Sequence, residues 1–143
     1  MQDVFNYLNQ IREFLEQIDN ITDNQMTILV GDLQNIEEEN SALELIEDMV
    51  NCKDELISDL TQVEEYFQRE YDKHRETLIK NNKINVLKGQ VQHILQLKEE
   101  IARKEHKNML IMQKNSNKRI DRVIISPSSN QVVEAYKKQQ RKS

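Results

Sequence analysis

Apolar residues recur along this chain at alternating spacings of three and four. The first such ladder begins near the N-terminus and consists of Val4, Leu8, Ile11, Leu15 and Ile18, with Phe5, Phe14 and Ile21 beside it. Side chains spaced in this way lie on one face of an α-helix, whereas a strand alternates its side chains with a period of two. The spacing therefore predicts a helix that packs through one apolar face.

Two further ladders follow the first. The second consists of Leu43, Ile46, Val50, Ile57, Leu60, Phe67, Tyr71 and Leu78, with Met49, Leu56 and Val63 beside it. The third consists of Ile84, Leu87, Val91, Ile94, Ile101 and Met112, is broadened by Leu95, Ala102 and Met109, and continues to Ile120 and Val123. Asn81-Asn82 suits the turn between them, because Asn tolerates the left-handed backbone that ends many helices. With two glycines and one proline in 143 residues, the chain is poor in turn residues and we expect long helices.

The junction between the first two helices is the least regular part of the pattern. The apolar phase slips around Thr22–Gln25, which indicates a stutter or a local break in the first helix. We expect that helix to end within residues 30–40. Two starts for the second helix are open: Asp32 is a possible cap after Gly31, and Ser41-Ala42-Leu43-Glu44 has the form of a capping box. We favour Ser41.

Charge is divided between the two halves of the chain. Residues 1–71 contain 18 acidic and three basic side chains, whereas residues 72–143 contain seven and 17, so net charges of −15 and +10 make up the total of −5. Because opposite charges attract most when they lie close together, this division favours a hairpin of antiparallel helices. Each surface ion pair contributes only about 0–1 kcal/mol, and salt should weaken it.

These patterns predict an all-α fold. We expect an elongated antiparallel three-helix bundle, or a helical-hairpin coiled coil, with a short C-terminal helix or tail. The bundle should occupy residues 1–125, because Pro127 stops the third helix. Residues 126–143 should form a linker that contains Pro and Ser, followed by a basic amphipathic tail.

The sequence has no pattern that supports catalysis, a cofactor or a metal. Two distant glycines do not form a phosphate-binding loop. His74, His93 and His106 lack the spacing of metal ligands. Cys52 and His74 would lie about 33 Å apart along one helix, too far to act as a nucleophile and its base. We therefore predict a protein that is not an enzyme and holds no cofactor.

The same sequence favours a cytoplasmic location. No apolar run approaches the roughly 18 residues of a membrane span, and no secretory signal is visible. The single cysteine excludes a disulfide within the chain.

The segment Met49–Tyr71 contains Cys52-Lys53-Asp54-Glu55-Leu56-Ile57, followed at helical spacing by Leu60, Val63, Phe67 and Tyr71. This pattern resembles flagellar export chaperones of the FlgN/FliT type. Parts of the first helix junction, the third helix and the C-terminal end are also similar, so the resemblance covers nearly the whole chain. The segment 31–53 is longer than the family pattern.

This resemblance implies a cytosolic chaperone of flagellar type III export. Such a protein would bind the terminal helices of a hook-associated or filament-cap subunit and prevent its premature assembly. It would then deliver this client to a component of the export apparatus without hydrolysing ATP.

We expect the partner-binding residues near the end of the third helix and in the tail: Met109, Met112, Ile120, Val123, Val132, Val133 and Tyr136. Two alternatives stay open. One is a structural coiled-coil adaptor or an oligomer, such as a homodimer, with no export role. The other is a helical arm that binds nucleic acid through basic side chains such as Arg103, Lys104 and Lys107. The acidic half and the lack of aromatic stacking platforms argue against nucleic acid.

Overall fold

Three α-helices make up nearly all of the structure, which is a computed structural model describing the backbone of residues 2–123 and the side chains of residues 2–117. They are α1 (Gln2–Leu29), α2 (Ile36–Lys80) and α3 (Ile84–Val123), with 28, 45 and 40 residues. The described residues contain no strand. The prediction of an all-α three-helix bundle is confirmed, while the linker and tail predicted for residues 126–143 lie outside the described residues.

Helix α1 continues without a break through the segment where a phase slip was predicted, and that prediction is wrong. The 4-3 spacing of the first ladder runs on through Thr22, Gln25 and Leu29, whose side chains are all buried. The slip in the apolar pattern arises because two polar residues occupy positions of the packed face, not because the helix changes register.

Helix α2 begins at Ile36, so the predicted start at Ser41 is also wrong. The side chain of Asn35 accepts a hydrogen bond from the backbone N–H of Glu38 at 2.9 Å, and the Glu38 carboxylate accepts one from the backbone N–H of Gln34 at 2.6 Å. The first bond satisfies one of the backbone donors that the first turn of a helix leaves free, and the second holds Gln34, which precedes the helix. Since this cap lies N-terminal to Ser41, Ser41 falls inside α2. Helix α1 ends at Leu29, one residue before the predicted window of residues 30–40.

The turn between α2 and α3 is built as the sequence predicts. Asn82 has a φ of 57°, in the left-handed region. The N–H of Lys83 donates to the carbonyl of Leu78 at 2.9 Å, and the N–H of Asn82 donates to the carbonyl of Ile79 at 3.2 Å. This pair of bonds is the Schellman arrangement, which ends a helix and reverses the chain.

The chain divides into two compact units that share the three helices. Unit 1 contains the described residues up to 20 together with residues 52–102, and unit 2 contains residues 21–51 together with the described residues from 103 onward.

Unit 1 has an apolar core supplied by all three helices. Its buried side chains are Val4, Leu8, Ile11, Leu15, Ile18, Leu60, Val63, Leu78, Leu87, Ile94 and Ile101. One ladder position behaves differently from the prediction: Ile57 is 47% exposed, while its neighbour Leu56 packs against the core. Lys98 of α3 and Glu64 of α2 form an ion pair of 2.9 Å in this unit.

Unit 2 has a smaller apolar cluster and several buried polar side chains. The buried apolar residues are Leu29, Leu43, Ile46 and Met112, and the buried polar residues are Thr22, Gln25, Glu39, Asn108 and Ser116. Polar contacts join α1 to α3, since the Asn108 side chain donates to the carbonyl of Thr22 at 3.1 Å and that of Asn115 donates to the carbonyl of Leu29 at 3.0 Å. Both numbers rise by seven from one bond to the next, so α1 and α3 run parallel here.

Candidate functional site

An apolar groove lies between α2 and α3 in unit 1, and we call it the α2–α3 groove. It has a volume of about 290 Å³. Its lining consists of Phe67, Gln68, Tyr71, Ile84, Leu87, Lys88, Val91, Gln92 and Leu95. Six of the nine lining side chains are apolar or aromatic, and the three polar ones, Gln68, Lys88 and Gln92, are exposed.

The two antiparallel helices place these side chains by their spacing. On α2, Phe67 and Tyr71 are four residues apart, and their rings stack with centroids 6.1 Å apart. On α3, Leu87 points inward and is 2% exposed, whereas Leu95, eight residues later, is 54% exposed. The ladders are wider than a single packing seam, so apolar surface remains on the outer side of the helix pair.

A second groove lies on the other flank of α3, between α1 and α3 in unit 1, and we call it the α1–α3 groove. It has a volume of about 340 Å³. Its lining consists of Leu8, Asn9, Arg12, Val86, Gly89, Gln90, His93 and Ile94. Val86 is 56% exposed, and the lining includes no acidic residue.

The residues expected to bind a partner are only partly covered by the described side chains. Met109 is half-buried in unit 2, and Met112 is 7% exposed and packs with the small apolar cluster. The side chains of Ile120 and Val123 lie outside the described ones, as do the residues Val132, Val133 and Tyr136. The role of all seven expected residues in partner binding stays a prediction.

Sequence reasoning did not single out either groove. The available signal was the set of residues that broaden the ladders, above all Leu95, which were assigned to the packed face. Separating inner from outer positions on a broad apolar face requires knowing where the neighbouring helices lie.

The described side chains do not bring together the metal site or the Cys52–His74 pair that was considered from the sequence. Among them, no three His, Cys, Asp or Glu residues come close enough to hold a metal ion. Cys52 is exposed and shares the unbroken helix α2 with His74, which places them roughly 33 Å apart. His74 instead faces Glu70, with 3.4 Å between Nε2 and the carboxylate.

Within the part that the structure describes, no helix combines the length and apolar character needed to cross a bilayer. Comparisons with protein-family models, with curated proteins and with solved structures give no match.

Proposed function

We propose that this protein binds an amphipathic helix of a partner protein, and that it acts as a chaperone of flagellar export. The observation that carries the proposal is the α2–α3 groove, an apolar channel between two antiparallel helices. Amphipathic helices commonly dock in such grooves through apolar residues at helical spacing. The resemblance to flagellar export chaperones supplies the identity of the client, a hook-associated or filament-cap subunit.

The chemistry of the groove suits reversible binding. Burying the exposed parts of Phe67, Tyr71 and Leu95 would favour association by about 25 cal/mol per Å² of apolar surface. Loss of translational freedom and ordering of the partner offset much of that gain. A groove of this size therefore supports a complex that forms in the cytoplasm and still releases its client for export.

The proposal is tested by replacing Leu95 with Glu. Leu95 is half exposed, so the fold should tolerate the change, while a charge in the groove should weaken binding of recombinant hook-associated or cap proteins about tenfold or more in calorimetric titration. Ile57→Glu is the matched control, because Ile57 is 47% exposed and does not line the groove. Met109→Glu tests the site expected from the sequence.

Two results would end the proposal. One is the absence of binding between the wild-type chain and any hook-associated or cap subunit. The other is a stable oligomer of the purified chain in light scattering whose formation Leu95→Glu abolishes. That second result would assign the groove to a structural coiled-coil role with no client.

A further inference from the structure

Gly89 has no structural explanation among the residues that the structure describes. It lies inside α3, where glycine is among the least favourable residues because it leaves the unfolded backbone most free. Its φ is not positive, so the backbone does not require glycine. A Cβ added at this position would meet no described atom within 4 Å, so no described neighbour requires glycine either. The other glycine, Gly31, lies in the α1–α2 turn.

The space above Gly89 belongs to the α1–α3 groove. Leu8, Val86 and Ile94 are its apolar lining residues; Leu8 and Ile94 are buried, whereas Val86 is more than half exposed. A helix position without a side chain lets another backbone approach closely, as at the small-residue crossings of tightly packed helices. The groove is therefore shaped for a close helix crossing centred on Gly89.

A positive charge in the groove lining limits which partners can bind there. Arg12 lines the groove and is the only Lys or Arg in residues 1–52. It forms no ion pair with another described residue. A bound helix with a carboxylate opposite Arg12 would form an ion pair with it.

We infer that the α1–α3 groove is a second docking site, which takes an amphipathic helix of another protein that crosses over Gly89 and carries an acidic residue facing Arg12. This site is separate from the α2–α3 groove of the proposed function. A second copy of this chain is the weaker candidate, because an isologous contact places the same patch on both sides and this patch contains no carboxylate. Nucleic acid is disfavoured because the single arginine in the groove lining cannot neutralise several phosphates.

The test uses a synthetic three-heptad peptide with Ala and Leu on one face and Glu on the flanks, titrated into the ¹⁵N-labelled full chain. The chain has two glycines, so two glycine amide signals report directly on the contact. The Gly89 signal should move with peptide concentration, and the Gly31 signal should stay in place as the internal control. A peptide with Lys in place of Glu should bind at least about fivefold more weakly.

Three variants decide whether the contact is the inferred one. Gly89→Leu fills the groove while improving helix propensity, so the chain should stay folded by circular dichroism and lose peptide affinity about tenfold. Arg12→Glu should reverse the preference between the Glu and Lys peptides. Leu95→Glu, in the other groove, should leave affinity for the Glu peptide unchanged.

The opposite results would overturn the inference. Unchanged affinity in both Gly89→Leu and Arg12→Glu excludes the α1–α3 groove as the binding site. A loss of affinity confined to Leu95→Glu places the peptide in the α2–α3 groove, which leaves the proposed function standing and removes the second site. A dimer of the unliganded chain that Gly89→Leu dissociates would assign the groove to a second copy.

Discussion

Some single residues lower the stability of this chain although the fold does not require them, and Gly89 is the clearest example. Replacing it with Ala should raise the free energy of unfolding by about 1 kcal/mol, because the Cβ restricts the unfolded chain and meets no described atom in the folded one. Thermal unfolding followed by circular dichroism should show a Tm a few degrees higher.

Gly31→Ala is the control for that measurement. A Cβ at Gly31 would lie 3.1 Å from the carbonyl oxygen of Ile28, so the turn must shift to hold it. We expect no gain in Tm from this variant. Equal gains from both substitutions would contradict the argument, since they would show that local space at the glycine has no effect.

Asn108 is a second such residue, because it is a polar side chain at a buried position. It is 4% exposed, and its amide oxygen accepts no hydrogen bond from the described residues, although its nitrogen donates to the carbonyl of Thr22. Asn108→Leu gives up one bond worth about 1 kcal/mol but removes a buried oxygen that costs about 1–3 kcal/mol. Chemical denaturation should therefore show stability that is unchanged or higher by about 1 kcal/mol.

The comparison for Asn108 is Asn115, one heptad further along α3. Asn115 donates to the carbonyl of Leu29, the last residue of α1, where the helix ends and leaves carbonyls without a partner. Asn115→Leu should lower the free energy of unfolding by about 1 kcal/mol. A loss of about 1 kcal/mol from Asn108→Leu, equal to that from Asn115→Leu, would contradict the argument, because it would show that the unpaired oxygen of Asn108 has no cost.

At the scale of the helices, the apolar spacing was sufficient to predict their number, their order and the α2–α3 turn. It failed where polar residues occupy packed positions, as at Thr22 and Gln25, because a pattern of apolar residues cannot register a buried polar side chain. It also placed Ile57 inward, since a strict seam of threes and fours describes a two-helix contact and unit 1 packs three helices together. The grooves were missed for the same reason.

The start of α2 offers a direct test of which cap forms. Asn35→Ala removes the side-chain oxygen that binds the Glu38 amide and should cost about 1 kcal/mol of stability. Ser41→Ala should be neutral or slightly stabilising, because Ser41 is an exposed residue within the helix and Ala is the better helix former. Both are measured by urea denaturation. A cost at Ser41 with none at Asn35 would restore the shorter helix that the sequence favoured.

At the scale of the whole molecule, the two units differ in what holds each together. Among the described residues, eleven apolar side chains are buried in the core of unit 1 and four in that of unit 2, where polar residues fill further buried positions. Since apolar burial supplies most of the favourable free energy of folding, unit 2 should open at lower cost.

Hydrogen exchange followed by mass spectrometry measures that difference within single helices, which removes the effect of helix ends. On α2, residues 40–50 should exchange faster than residues 56–66, and on α3, residues 103–113 should exchange faster than residues 87–101. Local opening would separate the rates by the difference in opening free energy, about tenfold for each 1.4 kcal/mol. Equal protection along each helix would mean that the two cores open only together.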